Sequence, residues 1–341
     1  MVDLIVGLLE VQAWNTGLWG SLIGWFDSWI GSFGWTIILF TIAIKIVLLP
    51  LDFFQRKVAK KNADLQKIVA PELDKVKAKY ANKPELLRQK LNEKQMEVYK
   101  KQNYNMVGSC VIMLVNLAIT MIVFITLFTG LNTIGNIQIA NQYELLRMEY
   151  TAVYEDTNSI EQAQAAVLEL YNSGDVAQSW LWIKNVWRPD TSASSVPSYN
   201  EYLSLATVST EDLSEADYLL VMQPIIDEQS GWNGLYLLVI LAGLISYLSA
   251  IASTGGFKKA KNPDGTAVAP QAGGKVMKII LPALMVLITL FYNAIFSLYI
   301  VTNALFSLIS IPVFNKIFEV MDKKKKSKNE VEVEYKIKKY N

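Results

Sequence analysis

An apolar run with a cation inside it, WTIILFTIAIKIVLLP over residues 35–50, limits what this chain can fold into more than any other stretch. A run of this length enters a bilayer as a helix, and Lys45 sits near its middle. An ammonium held in hydrocarbon costs roughly 2.5–3.5 kcal/mol on insertion scales. Such a residue therefore faces protein or a water-filled cavity, or its stem carries the charge back to the head groups. The segment alone leaves both open, because Lys45 lies six residues before Leu51, roughly 9 Å of helix. Thr41, one turn earlier, and Asp52, two turns later, share its helical face, so the polarity forms a stripe.

The rest of the composition agrees with a membrane setting. Of 341 residues 52% are hydrophobic, with a mean hydropathy of +0.25 and a net charge of +1. The apolar residues fall in long blocks, which predicts an all-α integral membrane protein. One cysteine, Cys110, rules out a disulfide within the chain. With no histidine, the usual histidine metal sites and catalytic triads are absent. Gly255-Gly256 and Gly273-Gly274 lack any phosphate-binding context. No cofactor, no metal and no enzymatic chemistry are expected. The opening MVDLIVGLLE lacks the basic region of a secretory signal, and no cleavage site or lipidation cysteine is seen.

Five spans are predicted, at 35–54, 107–130, 233–252, 276–291 and 294–314. Tyr292 and Asn293 leave room only for a tight turn, so the last two form a hairpin over 276–314. The fourth span, 16 residues or roughly 24 Å, is short against about 30 Å of hydrocarbon and would thin the bilayer or need shielding. Residues 14–35 hold Trp14, Trp19, Trp25, Trp29 and Trp35, interrupted by glycines and Asp27. That suits an amphipathic helix within 1–34 lying at the outer interface.

Charge sets the expected orientation. Residues 55–105 hold fourteen Lys/Arg and six Asp/Glu, whereas 130–232 hold three and fifteen. The loop 255–275 has four basic residues and one acid, and the tail from 315 has nine and five. Basic and acidic segments alternate as five spans require. The positive-inside rule then puts the N-terminus outside and the C-terminus in the cytoplasm of a multi-pass cell-membrane protein. On this scheme 55–106 is a cytosolic basic helical hairpin, 131–232 an enlarged, mainly helical extracellular domain, 253–275 a cytosolic loop and 315–341 a cytosolic basic tail.

In the hairpin, Val58, Leu65, Val69, Leu73, Val76 and Tyr80 recur at helical spacing, as do Leu87, Leu91 and Val98, with Pro84 suited to a first turn. Its cations Arg56, Lys57, Lys60, Lys61, Lys75 and Lys79 are either a solvated face or a recruiting surface for anionic lipid, ribosomal RNA or acidic nascent chains. No nucleic-acid motif favours RNA, and no DNA partner is expected. In 131–232, helix is expected over 141–172 with a break near Asp156, Ser159 and Gln162 forming a capping box. A Ser/Pro-rich connector over 191–200 and an amphipathic stretch over 211–229 follow.

Inside the spans lie Asn116 and Thr120 on one face of the second, Ser246 and Ser249 in the third, Thr289 in the fourth, and Thr302, Asn303, Ser307 and Ser310 in the fifth. Hydroxyls there serve as interhelical glue or bond their own helix. Asparagines are costlier to leave unpaired. The spans offer no carboxylate series of the kind a proton relay needs, and a hydrated cavity is the expected surrounding for the Lys45 ammonium.

At these residues the chain resembles the YidC/Oxa-type membrane protein insertases. Their first core span reads Thr-x-x-x-Arg followed by Leu-Pro-Leu; here stand Thr41, Lys45 and Leu49-Pro50-Leu51. Leu65-Gln66, Pro71-Glu72, Lys79-Tyr80 and Tyr99-Lys100 match the hairpin, and Gly108-Ser109-Cys110 is similar to the start of the second span. Trp180-Leu181-Trp182-Ile183 and Pro189-Asp190 resemble the stretch before the third, and Leu298-Tyr299 with Asn303 the last. Lysine replaces the family's arginine at 45, Asn116 a glutamine, Ile112 and Ala118 prolines, Asn293-Ala294-Ile295 a Pro-Ala-Gly, and Ser310 a glutamine.

The resemblance implies a five-span bundle with a polar groove open to the cytosol and sideways to lipid. Lys45, Thr41, Asn116, Thr120, Asn303, Ser307 and Ser310 are its expected lining. Nascent membrane proteins are the implied clients, with the ribosome, the Sec translocon and anionic lipids as further partners. Two other classes are a secondary transporter or channel with Lys45 as an anion site, although no internal repeat is found, and a non-catalytic assembly scaffold.

Overall fold

The computed structural model describes residues 17–174, 176, 178–205, 213–229, 231–253 and 279–340. The loop 253–275 lies almost wholly outside the described residues, as do 1–16 of the expected interfacial helix and 276–278 of the expected fourth span. Among the described residues the fold is all helical, with two isolated bridges, Trp180 with Ile183 and Ser194 with Trp232. The helices are α1 (Leu18–Ile30), α2 (Phe33–Lys79), α3 (Pro84–Lys101), α4 (Met106–Thr157), α5 (Ile160–Asn172), α6 (Tyr199–Leu205), α7 (Glu215–Glu228), α8 (Leu237–Ser253), α9 (Leu281–Phe291) and α10 (Ala294–Tyr340).

The helices do not stop where the apolar runs stop. α2 passes its first-span limit at 54 and runs on to Lys79, carrying Pro50 and Pro71 inside it. Residues 55–79 are rich in Lys and Ala, strong helix formers, with no left-handed residue among them, so the helix continues to the turn at 80–83. There Lys83 N–H bonds the Tyr80 carbonyl at 3.0 Å, and Pro84 opens α3. α4 likewise passes 130 and ends only at Asn158, which takes φ 52°. Ser159 then accepts from Gln162 N–H and caps α5. α10 runs from 294 through 340 with Pro312 inside it.

α2, α4 and α10 are long and apolar enough to cross a membrane. α8, of 17 residues, and α9, of 11, are shorter apolar helices. Among the described residues five apolar helices thus occur in the expected order, and length and composition qualify three of them as spans.

Contacts divide the chain into two compact units: Met1–Lys45, Ile122–Tyr247 and Ile279–Leu305 form the first; Ile46–Met121, Leu248–Lys278 and Phe306–Asn341 the second. In the first, α4 buries Leu127, Leu131, Ile134 and Leu146 at helical spacing. The rings of Trp19 and Phe26 on α1 meet Phe40 of α2 at 6.1 and 5.8 Å. α5 packs on α7 through Ala163, Val167, Tyr218 and Ile225, all fully buried; a buried aliphatic chain such as Ile225 contributes about 1.5–3 kcal/mol. Tyr143, Tyr202 and Tyr218 stack around a cavity with room for little more than water, and burial pushes the Tyr143 hydroxyl up to about 12.

In the second unit, Leu65 and Val69 of α2 close on Val98 and Tyr99 of α3, with Leu73 and Tyr104 alongside. Tyr104 donates to Asn62. Phe53 of α2 meets Phe314 and Phe318 of α10 at 5.6 and 5.1 Å.

Candidate functional site

The polar residues of the apolar helices are placed one by one. In the first unit, Thr41 is 1% exposed and its hydroxyl donates to the Ile37 carbonyl of its own helix at 2.6 Å, so that bond is local. Lys45, one turn on, is half-buried, as is Asn303 on α10. In the second unit, Asn116 is 3% exposed and its Oδ1 meets no donor among the described residues. An amide oxygen buried in this way is costly, of the order of 1–3 kcal/mol, unless water or another chain satisfies it. Thr120, one turn further, is exposed. Ser307 is half-buried, and buried Ser310 donates to the Ser307 carbonyl at 2.9 Å. The seven residues are therefore divided between the units: Thr41, Lys45 and Asn303 in the first; Asn116, Thr120, Ser307 and Ser310 in the second.

The hairpin cations lie in the second unit. Lys60 pairs with Asp322 of α10 at 2.6 Å and stands over the Phe318 ring at 5.5 Å; Arg56 stands over Phe314 at 5.7 Å. These two brace α10 against α2 and are half-buried. Lys61 covers Tyr104, Lys79 covers Tyr80, and Lys75 pairs with Glu72. The Glu72 carboxyl is held below the usual range by hydrogen bonds and charge from Lys75 and Lys94. Lys57, Lys61, Lys75 and Lys79 keep exposed side chains.

Trp180-Leu181-Trp182-Ile183 and Pro189-Asp190 carry a resemblance in sequence but no expected contacts, and here the structure adds a constellation. Asp190 is fully buried and accepts N–H bonds from Leu235 at 2.8 Å and Leu238 at 2.6 Å, capping the start of α8 with a carboxylate; Trp182 Nε1 adds a third at 3.2 Å. Asn185 and Asn233, both buried, bind each other reciprocally: Asn185 N–H donates to Asn233 Oδ1 at 2.8 Å and Asn233 Nδ2 to the Asn185 carbonyl at 3.0 Å. Asn185 Nδ2 also reaches Gln142 of α4 at 3.0 Å. The carbonyls of Arg188 and Val186 accept from Ala294 and Ile295, the first residues of α10. Arg188 bonds the Ser194 carbonyl and Glu201. Loop 180–190 thus ties the N-terminal ends of α8 and α10 to α4. The bonds from this loop to α4 and to the entry of α8 join residues 43 to 48 apart in sequence, which no local pattern reveals.

The profile of the 60Kd inner membrane protein family matches residues 25–326. The chain belongs to that family. Curated relatives named membrane protein insertase YidC share shorter stretches. The Fusobacterium nucleatum protein is 44% identical over 105 residues, 31% of this chain and 47% of the relative. That of Enterococcus faecalis is 35% identical over 125 residues, 35% of this chain and 44% of the relative. A Leptospira interrogans protein is 39% identical over 101 residues, 30% of this chain and 14% of the relative. The matched stretches span less than half of each relative's own length. Membership in the family agrees with the resemblance seen at Thr41, Lys45 and Leu49-Pro50-Leu51, and with a protein embedded in the cell membrane by apolar helices.

Proposed function

We propose that this protein is a membrane protein insertase that carries short polar segments of client proteins into the bilayer and releases their apolar helices sideways into lipid. The observation that carries the proposal is the half-buried Lys45 within an apolar helix of a chain whose relatives are named insertases. A polar client segment entering hydrocarbon loses hydration worth several kcal/mol per unsatisfied group. Lys45, Thr41 and Asn303 of the first unit, and Asn116, Thr120, Ser307 and Ser310 of the second, are the groove residues the resemblance implies and would replace part of that hydration. The buried Asn116 Oδ1, which meets no donor among the described residues, is suited to accept an N–H from a client backbone or from water.

The orientation of the proposal follows the charge pattern: 55–106 in the cytosol, 131–232 outside, and five spans with the short fourth span, 276–291, thinning the bilayer. Arg56, Lys57, Lys60, Lys61, Lys75 and Lys79 collect the client, or the ribosome or anionic lipid that presents it, and the Sec translocon is a further partner. No bond is made or broken, so the work is solvation and lateral release. Purified protein in liposomes should insert a client with one apolar helix and a short acidic outer tail without nucleotide or ion gradient. Solute flux without insertion would assign the chain to transport instead.

A further inference from the structure

We propose that the turn at Leu181 and Trp182 is a lipid anchor that seats loop 180–190 in the head-group zone of the bilayer. Trp180 and Ile183 exchange both backbone bonds at 2.9 Å, leaving Leu181 and Trp182 as a two-residue turn. Leu181 takes φ 51° at the first central position, where such turns favour glycine. Its side chain is also 67% exposed. In water a leucine there is unfavourable twice over, in backbone conformation and in hydration. Strained backbone kept at an exposed apolar tip points to a function outside the fold, and lipid removes the second penalty.

The surroundings identify lipid as the occupant. Trp180, beneath the turn, meets the ring of Trp35 at 5.5 Å, where α2 begins its apolar run. Lys184 N–H bonds the Asn233 carbonyl at 3.0 Å, which brings in Trp232 and Leu235, 59% and 55% exposed, just before α8. Trp35 is half exposed as well. Exposed tryptophan and leucine thus gather at the ends of α2 and α8, the level at which tryptophan favours the membrane interface. Exposed Lys184, one residue beyond the bridge, supplies a cation for lipid phosphate. The same apolar surface continues along α8 through exposed Leu237, Ile240 and Leu244. The loop ties the starts of α8 and α10 to α4, so an anchored tip fixes the depth of all three.

The test places an environment-sensitive fluorophore on Leu181→Cys in a Cys110→Ser background, in liposomes of phosphatidylcholine and phosphatidylglycerol. Leu235→Cys serves as a second position and Glu161→Cys on α5, an exposed residue, as the aqueous reference. The expected result at 181 and 235 is blue-shifted emission, quenching by nitroxide lipids labelled near the head group, and an iodide quenching constant severalfold below that at 161. Iodide quenching at 181 equal to that at 161 would overturn the proposal. So would shielding from both quenchers, which would mean that a second copy or another protein covers the tip.

Discussion

By the resemblance, Lys45 keeps a cation where the insertase family carries arginine, and lacks the planar fork that binds carboxylates bidentately. Point-charge solvation needs only the charge, so Lys45→Arg should insert clients at normal rates. Lys45→Ala should slow clients with acidic outer segments about tenfold, equivalent to ~1.4 kcal/mol in barrier, and Lys45→Glu should slow them further. Insertion kinetics in liposomes with acidic and neutral client tails check this; equal rates for every client in Lys45→Ala would remove the residue from the mechanism. Asp190 carries the opposite kind of role, structural and dry. Leu235 and Leu238 donate to different oxygens of Asp190, so Asp190→Asn keeps one of these acceptors but turns an amide N–H₂ toward the other backbone donor. It should cost about 1–3 kcal/mol, read as a lower thermal midpoint in detergent. Glu201 contributes a pH signature. Burial works against its charge, yet hydrogen bonds from Ser198 and Arg188, with the Arg188 charge, hold its carboxyl below the ordinary range. A depressed carboxyl stabilises the fold above its unfolded pKa, and that stability is lost as pH falls through the folded value. The thermal midpoint should therefore drop on acidification, and Glu201→Gln should flatten the drop.

At the scale of elements, close approaches show where the first unit is held. A Cβ on Gly34 would lie 2.2 Å from Trp180 Cδ1, and one on Gly234 would lie 1.9 Å from Asp190 Oδ1 and 2.8 Å from its Cα. These glycines admit the indole against α2 and the capping loop against the entry to α8. Gly34→Ala should cost about 1–3 kcal/mol through overpacking. Gly234→Ala should cost more, because part of the clash is with backbone that cannot rotate away. Thermal unfolding followed by tryptophan fluorescence separates the two, and unchanged midpoints in both would mean that the loop is less tightly seated than its hydrogen bonds imply. The helices themselves were partly legible. Ser159 and Gln162 mark the cap of α5, and Pro84 marks the start of α3. Their ends were not, because hydrophobicity reports where lipid should stop, while helix termination needs glycine, proline or a left-handed residue. α2 carries Pro50 and Pro71 and α4 carries Gly130, yet all three stay helical and no left-handed residue stands at 54 or 130, so each helix passes through.

For the whole molecule, the segregation of charge makes a direct prediction of orientation. With Cys110 replaced by serine, Glu161→Cys should react in intact cells with a membrane-impermeant maleimide, whereas Lys90→Cys should react only after the membrane is opened. Labelling at both positions in intact cells would reverse or void the positive-inside assignment. The sequence by itself determined the class: long apolar blocks, alternating basic and acidic connectors, one cation in the first block, and motifs in family order. Those properties follow from composition and local spacing, which are written along the chain. Only the tertiary structure decided that loop 180–190 is the clasp of the first unit, that Asp190 caps a helix 45 residues away, and that Asn116 buries an oxygen with no donor among the described residues while Thr120, one turn on, is exposed. Hydrogen bonds between distant residues depend on which surfaces fold together, and linear pattern carries no record of that.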